Sequence, residues 1–126
     1  MTVSRIVITS PGRQGKYNAR RVTVDGIQFD SQSEARHYGE LRALEKAGEI
    51  TGLVVHPRFE ILPAFTDGEG RRERATVYEA DFAYIDDLGR QVVIEVKGFR
   101  TQAWVLKGKL FRYRYPHLIL RVVRAK

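Results

Sequence analysis

A chain of 126 residues, 43% hydrophobic and 29% charged, has the size and composition of one globular domain; it is too short for a second core and has no apolar run of membrane-spanning length. Zero cysteines exclude a disulfide framework and a cysteine-ligated zinc site, and Met1-Thr2-Val3-Ser4-Arg5 lacks the apolar segment of a secretion signal, so a cytoplasmic location is the expectation. The net charge of +7 is segregated: residues 1–24 and 97–126 contain no acid, so all 15 acids lie between them, and basic ends around an acidic middle favour nucleic acid as the partner over a merely solvating charge.

Residues 1–19 read as a flexible basic arm, because Thr9-Ser10-Pro11-Gly12-Arg13-Gln14-Gly15-Lys16 is small, polar and broken by Pro and Gly. A single domain follows over 20–126. Arg21 to Phe29 alternates Val22, Val24, Ile27 and Phe29 around Asp25-Gly26, a hairpin signal. A helix is predicted from Ser31 to about Ala47, with Ala35, Tyr38, Leu41 or Arg42, and Ala43 to Leu44 as its apolar stripe and Gly48 to end it. Strands are predicted near 53–62, 74–85 and 90–97, with Thr66-Asp67-Gly68-Glu69-Gly70 turning between the first two. A second helix over 102–114 puts Ala103, Leu106, Leu110 and Tyr113 on one face, with Lys107 and Arg114 at its edge. Leu118 to Val123 is the last strand, paired in parallel through that crossover helix. The fold class is therefore α/β, a mixed sheet flanked by helices in the order helix, three strands, helix, strand.

Val92-Val93-Ile94-Glu95-Val96-Lys97 carries the chemistry. A period of two sets Val92, Ile94 and Val96 on one face and Glu95 and Lys97 on the other, so a carboxylate and an ammonium leave an apolar strand side by side. Asp81 precedes them by a hairpin's length across the turn Asp86-Asp87-Leu88-Gly89, which brings a second carboxylate beside Glu95. Two acids and a lysine at one place suit metal-assisted phosphodiester cleavage. Mg²⁺ takes oxygen ligands, one or two of them protein carboxylates, and Asp81 and Glu95 would supply these, with Mn²⁺ as a substitute. Lys97 would orient or deprotonate the attacking water, or neutralise charge developing on the phosphate. The alternative is a cross-strand ion pair without chemistry.

Other cations are candidates for the nucleic-acid backbone: Lys16, Arg20 and Arg21 at the arm, Arg71, Arg72 and Arg74 near a hairpin tip, Arg100 one short loop after Lys97, and Lys107 and Lys109 on the second helix. Helical geometry puts Lys107 nearer the buried face than Lys109. Each is equally readable as a solvated surface charge. His37, His56 and His117 are too scattered for a metal triad and read as structural or surface residues, while Trp104, Phe111 and Tyr115 form a second helical stripe suited to core or dimer packing. No Gly-rich phosphate loop is present, so no nucleotide cofactor is indicated.

Asp81 with Glu95-Val96-Lys97 resembles the PD-(D/E)XK nuclease motif, Ala80 standing where the name-giving proline often sits. The resemblance covers roughly residues 16–124 and is closest to the small phage endonucleases and Holliday junction resolvases of that superfamily. It implies a restriction-endonuclease-like core, a metal-dependent endonuclease acting on branched DNA such as a four-way junction, and a twofold homodimer to cut two opposing strands. It also gives Glu34 a second role. From the residues alone, Ser31-Gln32-Ser33-Glu34 is a capping box in which Glu34 reaches back to the helix start; the resemblance implies instead an acid from the first helix in the catalytic metal site, with Asp30 left as a cap or turn residue. Cleavage of flap, nicked or single-stranded DNA or of RNA, and a catalytically silent DNA-binding accessory module, are the alternatives.

Overall fold

The computed structural model of the protein describes residues 7–8 and 21–125. It begins with β1 (Val7–Ile8), a two-residue strand inside the segment that the sequence predicts as a flexible arm. β2 (Val22–Val24) and β3 (Ile27–Phe29) form the expected hairpin. Its two turn residues, Asp25 and Gly26, have φ of 54° and 76°, the left-handed pair that a tight antiparallel turn needs. Helix α1 (Gln32–Lys46) starts at Ser31, whose Oγ accepts the Glu34 N–H at 3.1 Å. Its end is closed by Gly48 at φ 80°: the Gly48 N–H donates to the Glu45 carbonyl and the Glu49 N–H to the Leu44 carbonyl, each at 3.0 Å. Ala35 and Tyr38 are buried as the stripe predicts, while Leu44 at its far end is exposed.

The segments predicted as two long strands, 53–62 and 74–85, are each broken in the middle. They become β4 (Thr51–Val55) and β5 (Pro57–Leu62) on one side, and β8 (Thr76–Glu79) and β9 (Phe82–Ile85) on the other; β6 (Phe65–Thr66) and β7 (Arg72–Glu73) form the tip. Register runs unbroken through the break, with Val55 opposite Phe82 on one side of it and Arg58 opposite Glu79 on the other. One long hairpin thus bends at His56 and at Ala80-Asp81 and contributes to two sheets. β1, β5 and β8 make the smaller sheet, β1 pairing antiparallel with β5 at Val7–Arg58 and Ile8–Pro57.

The larger sheet has the order β11-β10-β9-β4, where β10 is Gln91–Lys97 and β11 is Ile119–Arg124. β10 runs antiparallel to β9 and parallel to β11, and α2 (Gln102–Arg114) makes the crossover, so the domain is a mixed α/β fold with a mixed sheet and, among the described residues, two helices. Val92, Ile94 and Val96 pack with Phe29, Ala35, Tyr38 and Phe82 beneath α1 and the β2–β3 hairpin. Val93 packs on the opposite face with Phe59, Tyr78 and Phe111 beneath α2.

The buried face of α2 differs from the expected one. Gly108 and Phe111 are buried, with Trp104, Leu110 and Tyr115 packed against the same core, whereas Leu106 and Tyr113 stand 56% and 85% exposed. Both stripes are apolar; the one with three aromatic rings excludes more surface from water and allows the ring pairs Phe59–Phe111 (4.9 Å) and Tyr78–Phe111 (5.2 Å). Among the described residues no helix is long and apolar enough to cross a membrane.

Candidate metal centre and its basic margin

The bend in the long hairpin builds the site. His56 has φ 56°, a left-handed conformation that breaks the β4–β5 strand, and its N–H donates to the Asp81 carbonyl at 2.9 Å while the Ala80 N–H donates to the Pro57 carbonyl at 3.0 Å. The two interrupted strands therefore stay paired as they turn. β9 leaves β10 after the Phe82–Ile94 pair; beyond it the Asp81 N–H reaches the Ile94 carbonyl at 3.0 Å, and the Asp81 carboxylate accepts the Val96 N–H at 2.6 Å. A side-chain oxygen has taken the place of the next strand carbonyl. That short, charge-assisted bond fixes the rotamer of a carboxylate only 3% exposed.

Glu34, in the first turn of α1, reaches the same spot from above. Its carboxylate is turned inward instead of back to the helix start, with Oε1 3.7 Å from His56 Nε2, and among the described residues Oε1 is buried without a hydrogen-bond partner. The His56 ring is tilted against Phe29 at 5.8 Å. One ligand atom each from Glu34, His56 and Asp81 lie within 4.8 Å of one another, and all three residues are buried. Two carboxylates held this close inside a protein repel unless positive charge is shared between them. The donor atoms of this buried Glu-His-Asp group are close enough together that they could in principle hold a metal ion.

Glu95, buried on the next strand, is not in that close group. It faces the α2 layer, where Oε1 accepts the Tyr78 hydroxyl at 3.0 Å. Burial first, and the neighbouring Glu95 charge second, raise the Tyr78 pKa far above the ordinary phenol range, so Tyr78 is a fixed donor. Lys97, on the same face of β10, is half-buried with Nζ 5.4 Å from the centre of the Trp104 ring; Arg100 approaches the same ring at 5.7 Å.

A family described as "Protein of unknown function (DUF1064)" matches residues 14–126, nearly the whole chain. The chain belongs to this family. No curated protein and no solved structure matches it.

In this DUF1064 protein, then, of the four acids and bases predicted for the chemistry, Asp81 sits at the bend just before β9, Glu95 and Lys97 lie on the neighbouring β10, and Glu34 joins Asp81 from α1. The remaining cations are dispersed. Arg71 and Arg72 sit at the exposed β6–β7 tip, where Arg71 pairs with Glu69 at 3.3 Å and Arg72 with the Thr66 hydroxyl at 3.4 Å. Arg21, Arg100, Lys107 and Lys109 are exposed. Lys16 and Arg20 lie outside the described residues. The residue that sequence reasoning passed over is His56. Its spacing from His37 and His117 is uninformative, and the register of the hairpin tip carried back would set it opposite Phe82; a one-residue shift between Glu60 and Leu62 is what brings it opposite Asp81.

Proposed function

We propose that the protein is a metal-dependent, structure-specific endonuclease with a restriction-endonuclease-like core, hydrolysing phosphodiester bonds in branched DNA as a Holliday junction resolvase and acting as a homodimer. The observation that carries this reading is the buried Glu34-His56-Asp81 group next to Glu95 and Lys97 in a chain of net charge +7. A basic surface draws the phosphate backbone in, and the buried acids give it a reason to meet a cation there.

The donor set fits a divalent metal: two carboxylates and an imidazole converge, and the Glu34 Oε1 is buried with no hydrogen-bond partner among the described residues. Glu34, His56 and Asp81 would hold it, with Glu95 lining the substrate side. Mg²⁺, with Mn²⁺ as substitute, supplies Lewis-acid polarisation of a phosphoryl oxygen and acidifies a bound water when present. The chain's own work is positional and electrostatic. The Val96 N–H keeps the Asp81 carboxylate in one orientation. The Tyr78 hydroxyl does the same for Glu95, whose carboxylate would accept a proton from an attacking water. The Lys97 ammonium, one turn of the pleat from Glu95, offsets negative charge on the phosphoryl oxygens as it grows.

A fixed four-way junction, a linear duplex and a single strand, each incubated with the protein in Mg²⁺, Mn²⁺ or EDTA, test the reading. Paired symmetric cuts near the branch point, only with metal, are expected. Metal-independent binding without cleavage points to an accessory module and defeats it; equal cutting of every substrate removes the junction specificity.

A further inference from the structure

The ends of β10 and β11 open onto a polar pocket lined by Lys97, Gly98, Arg100, Val122, Arg124 and Ala125. Lys97 and Arg124 are register partners in the parallel pair, so two cations emerge side by side from adjacent strands. Like charges in directly opposed positions destabilise a sheet. Among the described residues no carboxylate forms an ion pair with Lys97, Arg100 or Arg124. The Trp104 ring lies against both Lys97 and Arg100, which limits how far either can swing away. The floor is tied by the Ala125 N–H donating to the Lys97 carbonyl at 3.2 Å. Three cations are thus concentrated around one opening, and among the described residues no carboxylate side chain pairs with them.

We propose that this pocket is a phosphate subsite for one strand of a polynucleotide, with Arg100 and Arg124 as its forked donors, Lys97 shared with the adjacent acidic site, and Trp104 as a positioning residue. The ligand class follows from the donors: guanidinium forks match phosphate oxygens bidentately. The location follows from strand geometry. Residues two apart on one face of β10 are about 7 Å apart, close to the direct spacing of neighbouring phosphates on one strand. A phosphate in the pocket therefore lies about one nucleotide along from one placed beside Glu95. The assignment as a strand-positioning subsite rests on the nuclease reading; the pocket's affinity for phosphate does not.

Trp104 is the only tryptophan, so its emission reports occupancy directly. Wild-type protein in EDTA is titrated with inorganic phosphate, with a single-stranded 12-mer, and with sodium chloride at matched ionic strength. A saturable change with phosphate and with the 12-mer, but not with chloride, is expected. Arg100→Gln and Arg124→Gln should each weaken 12-mer binding several-fold and lower the salt slope by about 1, the mark of one lost phosphate contact, whereas Arg124→Lys should recover part of the affinity and Lys46→Gln on the far end of α1 should change nothing. Equal responses to chloride and phosphate, or unaltered affinity and slope in both glutamine variants at wild-type melting temperature, overturn the proposal. A persistent Trp104 response in a protein that cleaves no nucleic acid would retain the anion pocket and remove the nuclease reading; junction cleavage with no Trp104 response would do the reverse.

Discussion

Replacing Tyr78 by Phe isolates the contact that orders Glu95. The hydroxyl donates to Glu95 Oε1 at 3.0 Å, both residues are buried, and the ring stays in place against Phe111. The variant keeps the packing and removes one hydrogen bond to a carboxylate, a loss of about 1.5–3 kcal/mol. With an unfolding entropy of about 2.1 cal/mol/K per residue, a 126-residue chain moves by about 4 °C per kcal/mol, so the melting temperature at pH 7 should fall by about 6–11 °C. A second consequence runs with pH. The folded Tyr78 pKa is raised, by burial and by the Glu95 charge, above the 10.0 of an unfolded phenol. The folded state therefore holds its proton where the unfolded state releases it, and stability present below pH 10 is lost as pH rises. At pH 11 that loss is about 1.4 kcal/mol in the wild type and absent in the variant. Urea unfolding of both proteins from pH 7 to 11 should thus show the gap between them narrowing above pH 10. A gap that is constant with pH, or a variant as stable as wild type at pH 7, would refute a buried Tyr78–Glu95 hydrogen bond.

In Asp81→Asn the amide oxygen can still accept the Val96 N–H, so the fold should melt within a few degrees of wild type while metal-dependent DNA cleavage drops by about a hundredfold or more; cleavage at the wild-type rate would remove Asp81 from the chemistry. Divalent metal at a hundred times its dissociation constant should stabilise the wild type by about 2.7 kcal/mol, visible as a rise in melting temperature over EDTA. His56→Asn, which tolerates the left-handed backbone at φ 56°, should fold and lose most of that rise; a wild type indifferent to Mg²⁺ and Mn²⁺ would show that the buried group holds no ion. On α2, Phe111→Ala should cost about 3–5 kcal/mol, whereas Tyr113→Ser on the outer stripe should cost less than about 0.5 kcal/mol, and calorimetry separates the two.

The parts of the fold carried by short-range pattern were legible. Alternation along 92–97 sets Glu95 and Lys97 opposite Val92, Ile94 and Val96, and the two faces are indeed different layers. Asp25-Gly26 and Gly48 mark their turns because each needs a left-handed backbone. The bend at His56 and Asp81 was only partly marked: Pro57, which cannot donate to a strand ladder, interrupts 53–62 where β5 begins. On the partner side Ala80-Asp81 carries no turn residue of that kind, so 74–85 reads as one strand. The orientation of α2 failed for a different reason: the helix has two apolar stripes on opposite sides, and periodicity cannot rank them. Phe111 decides it, fully buried with its ring against Phe59 and Tyr78.

The contrast between an antiparallel bend and a parallel crossover sets an order of assembly. β5 with β8, and then β4 with β9, can zip outward from the Asp67–Gly70 turn, each pairing shortening the loop for the next, so His56 and Asp81 meet through local steps. β10 and β11 share no turn; Lys97 and Arg124 become neighbours only once α2 has folded back across the sheet, a non-local closure of the kind that slows folding. During refolding the pairing of His56 with Asp81 should therefore come before the meeting of Lys97 with Arg124, so the buried acids are assembled while the basic opening at the ends of β10 and β11 is still unformed.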